Sequence, residues 1–84
     1  MKSLRTLPRP DQFGNYWFGD PRARGDTGSW DATAPAIFRL LTHNKQGVAW
    51  VASLGARGML WSGTELRVFG SPEEALAEIR ARMA

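Results

Sequence analysis

Two β-rich runs stand either side of a four-residue break: Ala36-Ile-Phe-Arg-Leu-Leu-Thr-His43, then Asn44-Lys-Gln-Gly47, then Val48-Ala-Trp-Val-Ala-Ser-Leu54. Branched and aromatic side chains fit the pleated, half-buried surface of a strand. The Asn-x-x-Gly tetrad suits a type I turn closed by a left-handed glycine, so the pattern predicts a hairpin. A competing reading makes 34–44 a helix, with Thr33 as N-cap, Pro35 in the first turn and Ile37, Leu40 and Leu41 on one face. The turn tetrad between two β-rich runs favours the hairpin.

A sheet buries its apolar face against another element, and the end of the chain supplies one. Ser71-Pro-Glu-Glu-Ala-Leu-Ala-Glu-Ile-Arg-Ala-Arg-Met83 predicts a helix over 71–83. Ser71 is a good N-cap, Pro72 takes the first helical position and Glu74 completes a capping box. Arg80 and Arg82 complement the negative end of the helix dipole. Leu76, Ile79 and Met83 recur on one face, which should pack on the sheet.

The remaining segments fill in an α+β architecture. Residues 1–12 carry Lys2, Arg5 and Arg9, and Pro8 and Pro10 forbid a helix, which leaves an extended basic arm. Phe13-Gly-Asn-Tyr-Trp-Phe18 contains a short strand at 15–18. Residues 19–35 hold Asp20, Asp26 and Asp31 with several Gly and Pro, and read as a long loop. Such a loop is uncommon in a small domain and is either functional or poorly ordered. Met59-Leu-Trp61, Ser62-Gly-Thr64 and Glu65-Leu-Arg-Val-Phe69 form a second hairpin, with Leu66 and Val68 on one face and Arg67 and Phe69 on the other. The expectation is one domain: a small antiparallel sheet of three to five strands, a meander of hairpins over 36–69, packed with one C-terminal helix.

Eighty-four residues bury a little over ~60% of the extended chain's surface, a thin core with little volume to spare for a deep catalytic pocket. With no cysteine, disulfides, thiolate metal sites and thiol catalysis are excluded. No apolar run follows the basic start and none is long enough to span a membrane, so the chain reads as cytoplasmic. The net charge is +3, and nine of the eleven cations are arginine, a usage that GC-rich codons favour.

Few residues offer chemistry. His43 is the single histidine; beside a turn and without cysteines it makes a poor metal site. None of the five serines stands in a Gly-x-Ser-x-Gly elbow. Glu73, Glu74 and Glu78 are accounted for by the helix, and Asp20, Asp26 and Asp31 by turns. Arg24-Gly25-Asp26 spells a short adhesion tripeptide, which chance explains in a basic, Gly-rich loop. We therefore expect no enzyme, no metal and no cofactor.

The aromatics are the stronger signal, with nine large rings in so short a chain. Each ring buries about 150–250 Å², so some must stay at the surface. Phe38, Trp50, Phe69 and Trp61 are assigned to the core. Tyr16, Trp17 and Trp30, beside Arg22 and Arg24, form the candidate partner-binding set, because Tyr, Trp and Arg dominate binding hot spots. The expected function is a non-enzymatic protein-binding module, acting as a monomer or homodimer. The alternative is a small nucleic-acid-binding domain, in which Tyr16, Trp17 and Phe18 stack bases while Arg5, Arg9, Arg22 and Arg24 follow the phosphates. Asp11, Asp20, Asp26 and Asp31 interrupt that basic segment and weigh against it. In size and composition the chain resembles the short proteins of phages and other mobile elements, anti-CRISPR and related inhibitors among them. That resemblance implies docking on a host protein complex and occluding it sterically.

Overall fold

A computed structural model describes residues 2–20, 31, 33–41 and 48–83. Ala36–Leu41 (β2) and Val48–Ser53 (β3) pair antiparallel, from Ala36 opposite Ser53 to Leu41 opposite Val48. This overturns the competing helix over 34–44. Helix-start residues supply a weak local preference, whereas the strand buries Ile37 and Ala52 completely on one face. The turn tetrad 44–47, and His43 with it, lie outside the described residues.

Tyr16–Trp17 (β1) joins the outer edge of β2, with Tyr16 opposite Ile37 and Trp17 opposite Ala36, so the sheet is a β1-β2-β3 meander. The strand expected at 15–18 is regular only in its middle. At one end Asn15 pairs through its side chain, Oδ1 accepting from the Arg39 N–H at 2.9 Å. At the other the Phe18 N–H reaches the Pro35 carbonyl at 3.2 Å.

The far edge of β3 is covered from the second hairpin. Trp50 and Phe69 exchange two backbone hydrogen bonds, of 3.0 and 2.8 Å, and the Leu60 N–H donates to the Ala52 carbonyl at 3.0 Å. Between these stretches Trp61–Ser62 (β4) and Glu65–Leu66 (β5) pair as a two-stranded ribbon. A two-residue loop joins them and begins at Gly63, whose φ of 66° is the left-handed geometry such loops require.

Pro72–Met83 (α1) packs on this sheet. Ser71 Oγ accepts from the Glu74 N–H at 3.2 Å, as an N-cap should. The reciprocal bond is displaced: Glu74 Oε2 accepts from Gly70 N–H at 3.0 Å rather than from Ser71. Ala75, Leu76 and Ile79 enter the core with Phe18, Ile37, Ala52, Leu60 and Phe69. Leu4 and Leu7 pack against the same cluster, and the Lys2 N–H donates to the Phe18 carbonyl at 2.7 Å.

Three expectations about burial are corrected. Met83, at the last helical position, is 36% exposed, and the small Ala75 takes its place in the stripe. Trp61 is 57% exposed because the β4–β5 ribbon carries it clear of the main sheet. Phe18, assigned to a surface stack in the nucleic-acid alternative, is fully buried. Trp50 and Phe38 are partly buried, whereas Phe69 is a core residue as expected.

Candidate interaction surface

Side chains alternate across a strand, so the pairing register assigns each residue to a face. Tyr16, Ile37 and Ala52 lie in one row on the side of α1, among the core cluster. Trp17, Phe38 and Leu40 therefore point to the opposite side of the sheet. There Trp17 meets Phe38 edge to face, ring centroids 5.1 Å apart and planes at 77°, a favoured geometry for aromatic pairs. Leu40, two residues along the strand, is 42% exposed.

Asp11 fixes this pair from the side. Its Oδ2 accepts from the Trp17 indole N–H at 2.8 Å, and its Oδ1 accepts from the Phe13 and Asn15 backbone N–H groups at 2.8 and 2.9 Å. Backbone bonds from Asp11 N to Asn15 O and from Gly14 N to Asp11 O close the turn. Gly14 has φ 84°, so position 14 favours glycine for its conformation; the Arg39 Cδ lies 2.8 Å from where a Cβ would stand, but that exposed side chain can move aside. Burial alone would raise the Asp11 pKa, but the Trp17 indole and the backbone and side-chain donors of Asn15 and Phe13 outweigh it. The carboxyl is held below its ordinary value of 3.8. Phe13, carried on this turn, is 66% exposed.

Of the partner-binding residues proposed from sequence, Tyr16 and Trp17 are neighbours on opposite faces: Tyr16 packs towards the core and Trp17 lies on the face opposite α1. Arg22, Arg24 and Trp30 lie outside the described residues. The base of their loop is defined, since the Asp31 N–H donates to the Asp20 carbonyl at 3.1 Å. Asp31 also accepts from Thr33 Oγ1 at 2.6 Å and from the Thr33 N–H at 3.0 Å, the turn-forming role expected of it. Asp11, Phe13 and Leu40 were missed in the sequence. The Asp11-x-Phe-Gly-Asn15 spelling of an Asx-type turn is the signal that could have found the first two.

Among the described residues no three His, Cys, Asp or Glu side chains come together as a metal site, and no helix is long and apolar enough to cross a membrane. The Asp11 carboxylate is committed to its three donors. What the geometry offers is a fixed aromatic edge with an aliphatic neighbour, a surface that gains by being covered. No protein-family model, curated protein or solved structure matches the chain.

Proposed function

We propose that this chain is a non-enzymatic protein-binding module whose partner covers the sheet face opposite α1. The observation that supports it is Leu40, exposed beside a Trp17–Phe38 pair whose indole N–H is held by the part-buried carboxylate of Asp11. Rigid aromatic anchors cost little conformational entropy on binding. Of the partner-binding residues read from the sequence, Trp17 belongs to this face, whereas Tyr16 packs towards the core. The resemblance to small phage and mobile-element inhibitors adds a finer proposal, that the partner is a cytoplasmic host protein complex and the effect is occlusion. Stacking of bases on Tyr16, Trp17 and Phe18 is disfavoured, because Phe18 is buried and the Trp17 ring already meets Phe38.

The test is affinity capture from a nuclease-treated host lysate with the wild-type chain and with Leu40→Asp. A specific protein retained by the wild type and lost with the variant, at equal melting temperature, supports the reading. Equal retention by both places the interface elsewhere, and sedimentation across a concentration series separates capture of a partner from self-association.

A further inference from the structure

Positive charge is concentrated around the C-terminal half of α1. Arg57, in the 3-10 turn Gly55–Arg57, donates from Nη1 to the Arg82 carbonyl at 3.5 Å. Arg80 donates from Nη1 to the carbonyl of Arg5 at 3.3 Å. Arg67 and Arg82 both contact one carboxylate, Glu78, the latter at 3.6 Å. Of these five arginines from four segments, only Arg67 and Arg82 have an acidic partner among the described residues, and it is the same one, Glu78. Their sum is four positive charges, one more than the +3 of the whole chain, so the remainder is slightly acidic. Among the described residues Arg5, Arg57 and Arg80 make no ion pair. Each of these three is exposed.

We propose that this end of the molecule binds the phosphate backbone of a nucleic acid, without reading its bases. The inference stands apart from the protein-binding face, on different residues. Guanidinium groups present a planar fork of donors that matches phosphate oxygens. Arg57 and Arg80 each spend one N–H on a backbone carbonyl, which aims the group and leaves its other donors to solvent. The Arg57 bond also lessens the partial negative charge of the helix C-terminus, which would otherwise oppose an anion. Spread over the N-terminal segment, the 3-10 turn, the segment after β5 and the helix, the cations suit a ligand with regularly spaced phosphates. An anionic bilayer gains less here, since Met83 is the one large apolar side chain of α1 that is exposed.

The test is fluorescence anisotropy with a labelled DNA duplex of random sequence, titrated between about 50 and 200 mM salt. The wild type should bind at micromolar concentrations, with log affinity falling against log salt at a slope of about −3, the value for roughly three neutralised phosphates. Arg57→Glu/Arg80→Glu should weaken binding at least about tenfold and bring the slope to about −1, with an unchanged melting temperature. Leu40→Asp should leave the duplex affinity unaltered. No binding at the lowest salt, or equal binding by the charge-reversed variant, overturns the proposal. Equal or tighter affinity for poly-glutamate or for phosphatidylserine vesicles overturns it too, by showing that the patch is not selective for a nucleic-acid backbone. If Arg57→Glu/Arg80→Glu unfolds the chain, Arg57→Gln/Arg80→Gln replaces it with the same expected direction.

Discussion

The Trp17 indole N–H donates to Asp11 Oδ2 at 2.8 Å, and the same carboxylate accepts two backbone N–H groups of its own turn. Because these donors favour the ionised form, the folded pKa of Asp11 lies below 3.8. A depressed carboxylate pKa contributes stability that is present above the unfolded value and lost as pH falls through the folded one. Thermal melts should therefore show an Asp11 contribution intact above about pH 4 and disappearing below it. Asp11→Asn should remove that part of the acid sensitivity and cost about 1 kcal/mol at neutral pH, since water can reach the vacated donors. An identical acid limb in the variant would show that the carboxylate is not engaged this way.

Ile79 is fully buried in α1, while Met83 of the same stripe is 36% exposed. Ile79→Ala should cost about 2–5 kcal/mol, a large part of a small domain's stability. Met83→Ala should fall within about 0.5 kcal/mol. Urea midpoints of the two variants decide the comparison, and equal losses would put Met83 in the core after all.

The helix start can be dissected in the same way. Ser71→Ala removes the acceptor of the Glu74 N–H and should cost about 1 kcal/mol. Glu74→Gln keeps an acceptor for Gly70 and should cost less than Glu74→Ala, which loses both that bond and the favourable charge. Helicity and melting temperature report both effects.

These contrasts show which parts of the molecule were legible beforehand. The β2–β3 hairpin and the capped helix were, because strand alternation and N-cap chemistry are written in neighbouring residues. The fate of the aromatics was not. Trp17 and Phe18 are adjacent, yet one lies on the face opposite α1 and the other in the core, and only the register with β2 decides which. Trp61 looked like a core residue from its β-rich context, but the ribbon that carries it pairs with itself. Phe69 was rightly assigned to the core, although the backbone pairing with Trp50 that holds it there joins segments no local pattern links. Of the candidate surface, the sequence marked Trp17 and overlooked Asp11, which holds it.

Trp50 Nε1 is buried without a hydrogen-bond partner among the described residues. An unpartnered buried donor costs about 1–3 kcal/mol, so Trp50→Phe should relieve that cost while giving up part of the ring's contact area. The net change is expected within about 1 kcal/mol, whereas Phe69→Ala should cost about 3–5 kcal/mol. A large loss in Trp50→Phe would reveal a partner for the indole.

Gly55 and Gly63 both have positive φ, but their surroundings differ. A Cβ on Gly55 would overlap the Thr33 carbonyl, while one on Gly63 meets open space. Gly63→Ala should therefore cost only the conformational penalty, about 1–2 kcal/mol. Gly55→Ala should cost clearly more, because the Thr33 carbonyl that accepts from the Ala56 N–H at 3.2 Å must give way. Circular dichroism melts of the pair provide the measurement.

The hydrogen bond from Arg80 to the Arg5 carbonyl spans a sequence separation of 75. It sets the segment around Arg5 beside the second half of α1. A linker from the end of α1 back to the segment before Arg5 can join these two stretches, and the exposed turn of the β4–β5 ribbon at Gly63-Thr64 can be opened instead. Such a rearranged chain would keep the sheet, the helix and both proposed surfaces, and would free the basic end from any fused tag.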